Sequence, residues 1–370
     1  MKITGIETYT RGTTVTLVRV RAEDGAEGWG QTAPYNADIT ATVLHRQVAP
    51  HVLGRDEGAV EAIASEVPEH EYKFPGSYVC RALAGVETAL WDLRGKRTGK
   101  AVCELLGAPS ASGLLPVYGS SMRRDITPGE EADRLSRLRD DQGYRAFKIR
   151  VGTPCGHDGD AAPGRTEAVV PAVRRALGDD VTLLADGNSG YSPARAVEVG
   201  RLLEQHGYGH FEEPCPYWEL EQTRAVADAL DIPVAGGEQD TDLAQFRRMI
   251  AMGAVDIVQP DVCYVGGLER ARQVAAMAAE RGLPCTPHAA NRSLVTVFTM
   301  HLVAALPNAG PFLECSIEPT PWADALFASP ALRVEDGALA LPASGPGWGV
   351  EISPDWLAAA ERQVSEIEQI

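Results

Sequence analysis

Residues 181–191 read VTLLADGNSGY. Val181, Leu183 and Leu184 form a short apolar run of the buried-strand kind, and the run stops on Asp186, with Asn188 two residues later. One carboxylate at a strand end means little. It gains meaning if other strands along the chain end the same way. Short apolar runs recur at PVYGS (116–120), AFKIR (146–150), TLLAD (182–186), GHFEE (209–213), PVAGGE (233–238), DIVQPD (256–261), LPCTPH (283–288) and PFLECS (311–316). Segments of helical pattern separate them. Eight such units over roughly 200 residues are the count of a (β/α)8 barrel.

The polar residues that end these runs are Lys148, Asp186, Glu212, Glu238, Asp261, His288 and Glu314, at intervals of 38, 26, 26, 23, 27 and 26. After the first interval the spacing is nearly constant and matches one βα unit. In a barrel that period brings every such residue to one rim, where barrel enzymes keep their chemistry. Asp186, Glu212 and Glu238, on three adjacent strands, would repel one another and raise each other's pKa values. A hard divalent cation resolves this, and all-oxygen ligation with open positions suits Mg2+. The alternative is that each carboxylate pairs with an Arg or Lys. Opposite this triad, Lys148 and Arg150 share one strand face at i and i+2. Asp261, beside His288, would fix the imidazole tautomer and make His288 a general base.

The bulk properties agree with an enzyme of this kind. The chain has 370 residues, 44% of them hydrophobic, and a net charge of −17, which argues against a nucleic-acid or anionic-membrane surface. Seven cysteines, an odd count without a C-x-x-C pair, point to a reducing, cytoplasmic setting. MKITGIETYT has no signal-peptide core, and no run of about 18 apolar residues would span a membrane. TTVTLVRVRAEDGAEGWG alternates as an antiparallel meander, with Val15, Leu17 and Arg19 on one face. RALAGVETALWDLRGKRTGK follows with helical spacing, and Gly95 is its expected stop. Residues 1–112 are therefore expected to form an α+β module and 113–340 the barrel. Residues 341–370 are expected to pack back on the module.

At this point the chain resembles the enolase superfamily, and its mandelate racemase subgroup in particular. AGVETALWDLRGKRTGK and ELLGAP look like that group's signature helix in the capping domain. FKIR resembles the strand-2 K-x-K, LLADGN the D-x-N of strand 3, FEEP the E-x-P of strand 4 and GGE the G-E of strand 5. DIVQPD and PCTPH resemble the strand-6 Asp and strand-7 His. The resemblance implies a modified (β/α)8, or (β/α)7β-type, TIM barrel under an N-terminal α+β capping domain. It implies Mg2+ held by Asp186, Glu212 (the first Glu of E-x-P, not Glu213) and Glu238. It further implies a small-molecule carboxylate substrate that loses its α-proton to give an enediolate, with Glu314 hydrogen-bonding the enediolate oxygen and Asn188 supporting metal or substrate. Relatives are often homo-oligomers, and one is expected here.

One position departs from the pattern. Arg150 stands where the family has a second lysine that serves as a base. Arginine stays protonated and is a clamp rather than a base. Either Lys148 takes that role or only the His288–Asp261 dyad abstracts protons. A single base suffices for dehydration, so an acid-sugar dehydratase is the expected activity. A racemase or epimerase of a 2-hydroxy acid is the alternative, and a non-catalytic sugar-acid-binding relative stays open. Asn291 and Arg292, in PHAANRSL, are candidate substrate contacts or a loop salt bridge. TAPYNADI (32–39) and EYKFPGSY (71–78) would reach over the mouth, offering Tyr35, Asn36, Tyr72, Lys73 and Phe74. The loop CGHDGDAAPGR (155–165) accounts for the long first interval and reads as solvated rather than metal-binding.

Overall fold

The computed structural model describes all residues except 75, 111, 290, 330, 331, 343, 344 and 368–370. Pro75, in the middle of the second capping loop, and Ala290, beside Asn291, thus lie outside the described residues. Strands β1 (Ile3–Arg11), β2 (Val15–Ala22) and β3 (Glu27–Gln31) form the expected antiparallel meander. Val15 and Leu17 are buried, but so are Val18 and Val20 on the opposite face. Both faces are covered because the long helix Ser77–Thr98 packs on one of them. Its backbone lies directly against β3: a Cβ at Gly28 would stand 2.1 Å from the Ala89 carbonyl oxygen, and one at Gly30 2.3 Å from that of Gly85. Glycine at both positions is what allows helix and strand to approach so closely.

The helix runs past Gly95 and ends at Gly99, which is left-handed (φ +65). Gly95 serves a different purpose. A Cβ there would meet Gly347 Cα at 2.6 Å, so Gly95 admits the returning C-terminal segment. That segment brings Trp348, which is buried and donates its indole N–H to the carbonyls of Trp29 and Thr88. Beyond it, strand Glu361–Glu366 adds to β1 in antiparallel register.

The barrel strands are β4 (Leu114–Ser120), β5 (Ala146–Arg150), β6 (Thr182–Asp186), β7 (Phe211–Glu212), β8 (Val234–Gly236), β9 (Ile257–Val258) and β10 (Leu313–Ser316). β4 to β9 pair in parallel sequence, and β10 pairs in parallel with β4. The seventh position is a segment rather than a regular strand: Cys285 bridges to Val258 on one side and, on the other, to Ala309 in the chain leading into β10. Helices follow the strands, among them Arg165–Leu177, Pro193–Gln205, Leu220–Ala229, Leu243–Met252, Leu268–Ala279 and Leu294–Val303. The parallel barrel wall is therefore buried on both sides, and Ala338–Ala340 adds antiparallel to the outer end of β4.

Two buried polar groups tie the meander–helix unit to the barrel. Glu87, on the long helix, accepts the N–H groups of Leu268 and Glu269 at the start of a barrel helix (both 2.8 Å) and the Trp91 indole N–H (2.9 Å). Glu87→Ala would leave these three donors buried and unpaired. It is expected to destabilise the protein by about 2–4 kcal/mol, read from the denaturant midpoint. His301 accepts the Cys103 N–H at Nδ1 (3.0 Å), and its Nε2 faces the Trp348 carbonyl (3.2 Å). Burial pushes its imidazolium pKa down to about 4 from 6.5. Between these values the unfolded chain binds a proton that the folded His301 refuses, so stability falls as pH drops through that window. About 2 kcal/mol should be lost between pH 7 and 5, and His301→Gln should remove that part of the loss.

Candidate active site

Strand register assembles the site. Arg150 lies beside Asp186 across the β5–β6 pair, and Asp186 beside Glu212 across β6–β7. Glu238 follows β8 by way of Gly237, whose φ of +117 suits only glycine. Oxygens of Asp186, Glu212 and Glu238 lie within 4.8 Å of one another, and all three residues are buried. Among the described residues this is the one His, Cys, Asp or Glu group able to hold a metal ion; the 155–165 loop forms none.

The cations stand beside the carboxylates, not opposite them, because β5 and β6 are hydrogen-bonded neighbours. The Lys148 ammonium is fully buried, 2.5 Å from Glu212 Oε1, 3.0 Å from Glu314 Oε1 and 3.6 Å from Asp186 Oδ2. Burial opposes its charge, but Glu212 and Glu314 hold its pKa well above the ordinary lysine range. Arg150 pairs with Asp186, donates to the Ser121 carbonyl (2.9 Å) and the Asn188 amide oxygen (3.1 Å), and touches Met122 Sδ. It is thus spent on Asp186 and its surroundings.

His288 Nδ1 lies 2.7 Å from Asp261 Oδ2. Asp261 is fixed in turn by the N–H groups of Cys263 (2.7 Å) and Tyr264 (2.9 Å) on Oδ1, which leaves Oδ2 for the imidazole. His288 Nε2 faces Glu238 (3.4 Å) and Glu314 (3.8 Å). Burial works against an imidazolium here, but Glu238, Glu314 and Asp261 push its pKa up to about 10. Glu314 accepts the Ala289 N–H (3.0 Å), and Lys148 and His288 overcome burial to hold it at about 2.

Charge in this cluster is unevenly compensated. Glu212 is held well below the usual carboxylate range against the pull of burial, mainly by Lys148. Glu238 is raised by burial and by Glu212 and Glu314, against the opposing pull of the His288 imidazole and, more weakly, of Lys148. Glu213 is raised by burial and by Glu238 and Glu212, and its Oε1 is unpartnered. A dication at the triad would supply the missing positive charge, so the donor set fits Mg2+.

Asn188 Nδ2 reaches Asp186 (3.2 Å), while its amide oxygen accepts from both Arg124 (2.7 Å) and Arg150. Asn291 is buried and accepts from Ser293 Oγ, and Arg292 lies 3.8 Å from Asp324, which is the loop salt-bridge geometry. Tyr35 and Phe74 are exposed at 61% and 65%. Asn36 is exposed and donates to the Tyr78 hydroxyl (3.2 Å). Among the described residues none of these five is hydrogen-bonded or ion-paired to a triad carboxylate. Sequence reasoning missed Arg124, Gln259 and His210. Gln259 donates to Glu212 (2.8 Å), and His210 stands 3.6 Å from it. His210 is two residues before Glu212 on an alternating strand, so its side of the sheet was readable. Arg124 lies on a loop and gave no signal.

The N-terminal domain profile of mandelate racemase/muconate lactonizing enzymes matches residues 4–107, and the enolase C-terminal domain-like profile matches residues 130–356. The chain belongs to the mandelate racemase/muconate lactonizing enzyme family of the enolase superfamily. Among relatives of this family, arabinonate dehydratase of Saccharolobus solfataricus is 28% identical over 91% of this chain and 88% of its own. D-galactarolactone cycloisomerase of Agrobacterium fabrum is 29% identical over 92% and 89%. A family structure from Paracoccus denitrificans, complexed with magnesium, superposes with a TM-score of 0.89 at 31% identity over 99% of both chains. One from Roseobacter denitrificans, named provisionally as a racemase, gives 0.96 at 58% identity over 99% of this chain and 100% of that one. The superfamily fold, a capping domain over a (β/α)8 barrel, is thus shared along nearly the whole chain. No described helix is long and apolar enough to cross a membrane.

Proposed function

We propose that this protein is a Mg2+-dependent hydro-lyase that dehydrates a sugar acid to its 2-keto-3-deoxy product. The observation that carries the reading is a single proton-transfer pair, His288–Asp261, facing the triad while Arg150 is engaged by Asp186. Asp186, Glu212 and Glu238 would hold Mg2+, which supplies Lewis-acid stabilisation of charge developing on a substrate carboxylate. Lys148, among Glu212 and Glu314, adds fixed positive charge beside that carboxylate. Glu238 and Glu314 favour the His288 imidazolium while the triad carries no cation; with the charge of Glu238 compensated by the metal, His288 would be neutral at Nε2 and take the α-proton there, with Asp261 fixing its Nδ1 as the protonated nitrogen. It returns that proton to the β-hydroxyl as the C–O bond breaks and water leaves. The enol then becomes the 2-keto acid. Dehydratases among the relatives support the substrate class.

The 58% identity to the Roseobacter protein favours a second reading, racemisation or epimerisation. It needs a base on each face of the α-carbon, and Lys148 is the second candidate. Glu314, outside the triad and 3.0 Å from the Lys148 ammonium against 3.8 Å from His288, holds that lysine protonated whether or not the triad is compensated, which weighs against it. Incubation with Mg2+ and a library of mono- and diacid sugars, assayed for 2-keto acids with semicarbazide, tests the proposal. Exchange of the α-proton in D2O with inversion and no keto acid would establish the second reading instead.

A further inference from the structure

Arg81 lies on the long helix just after the second capping loop and is half-buried. Its guanidinium carbon sits 3.6 Å from the centroid of the Tyr264 ring. The Tyr264 ring is in turn 5.9 Å from that of His288, and the Tyr264 N–H is one of the donors that fix Asp261. Arg81 is therefore within about 10 Å of the proton-transferring imidazole, across the seam between capping domain and barrel.

The other cations near the mouth are engaged. Lys148 is held by Glu212 and Glu314, and Arg150 by Asp186. Arg124 donates to the Gly152 carbonyl and Asn188, and Arg270 to the Val265 and Thr241 carbonyls. Among the described residues Arg81 forms no ion pair. A guanidinium stacked on an aromatic face keeps its edge N–H groups in the stacking plane, poised for bidentate contact with a carboxylate. In a chain of net charge −17, an unspent cation beside the catalytic dyad is a local attractor for anions.

We propose that Arg81 anchors a second carboxylate of the substrate, so that the site selects dicarboxylic over monocarboxylic sugar acids. This rests on the dehydratase reading, in which the first carboxylate lies at the triad. Tyr264 provides the platform that orients the guanidinium, and the carbon chain of the substrate spans from the triad past His288 to Arg81.

The test compares matched pairs, D-glucarate with D-gluconate and galactarate with galactonate, on the Mg2+-loaded protein and on Arg81→Met. The methionine keeps an apolar contact with Tyr264. The expected result is a diacid-to-monoacid ratio of kcat/KM well above one, falling by about 30-fold in Arg81→Met through KM. A ratio that stays constant while both acids fall together, with a lower thermal midpoint, would make Arg81 a structural link between the two domains and overturn the proposal. A second measurement is independent of turnover. Glucarate and gluconate are titrated calorimetrically into Mg2+-loaded His288→Asn, with and without Arg81→Met. Diacid-selective binding that depends on Arg81, in a protein whose wild type turns over neither acid, would sink the dehydratase reading and leave the anchor standing. Turnover with no diacid preference, or no binding of either acid, overturns the anchor.

Discussion

His288→Asn is expected to lower 2-keto acid formation by about 10³-fold or more, with the folded structure and Mg2+ affinity retained. The physical ground is the solitary position of this imidazole. Its Nδ1 is committed to Asp261 at 2.7 Å, and its Nε2 faces Glu238 and Glu314. Among the described neighbours, Arg150 is an arginine locked on Asp186, and Lys148 is held protonated by carboxylates. Neither is poised to accept a proton. Asparagine cannot take the α-proton, so the step has no remaining base. The measurement is paired: semicarbazide assay for keto acid and NMR for α-proton exchange in D2O. Loss of both supports one base serving both halves of the dehydration. Persistence of exchange with loss of keto acid would assign abstraction to Lys148 and leave His288 only the protonation of the leaving hydroxyl.

The second large effect concerns the triad, and its sign differs with and without metal. Glu238→Gln removes one anionic oxygen donor and is expected to weaken Mg2+ binding by at least about 100-fold, with activity lost in proportion at limiting metal. Without metal, the same change removes a buried carboxylate that burial, Glu212 and Glu314 already disfavour in its charged form. The thermal midpoint of the Mg2+-free variant should therefore equal or exceed that of the Mg2+-free wild type. The Mg2+-induced rise in midpoint should nearly vanish, because that rise reports ligand binding to the native state. Glu212 is a poorer choice for this test. Its removal would leave the buried Lys148 ammonium short of its nearest partner at 2.5 Å and mix a folding defect into the result. A lower midpoint for metal-free Glu238→Gln would show that Glu238 acts chiefly as the partner of His288, 3.4 Å away, rather than as a ligand.

Both predictions use residues found by spacing, while the choice of Glu212 over Glu213 rests on the resemblance to E-x-P. Asp186, Glu212 and Glu238 could be read because a βα unit has a nearly constant length, so strand ends recur at a nearly constant interval. The backbone period, not the side chains, carried that information. His288 and Asp261 were legible for the same reason, and their direct contact follows from the parallel bridge between those two positions. The strand AFKIR was legible to the residue, since a fully buried strand shows as an unbroken run with turn signals at its ends. The seventh strand was less so. PCTPH has two prolines that cannot donate to a ladder, and the structure there is three isolated bridges.

What the sequence by itself determined is the order of the elements, the period that brings their ends to one rim, and the residue types waiting there. Only the tertiary structure decided which charge meets which. Strand register set Arg150 against Asp186 and so removed it from the pool of free groups. Glu238 was left with an imidazole rather than a fixed cation, and Glu213 was buried with an unpartnered oxygen. The capping loops show the same limit. Tyr35, Asn36 and Phe74 were chosen for their place in the chain and are exposed, whereas Arg81, inside a helix and unremarked in the sequence, is stacked on Tyr264 beside the dyad. Spacing along a chain reports position within a repeating unit. Contact between two domains depends on their relative placement, here tied by Glu87 at the start of a barrel helix and by His301 at the Cys103 N–H, and no local pattern encodes it.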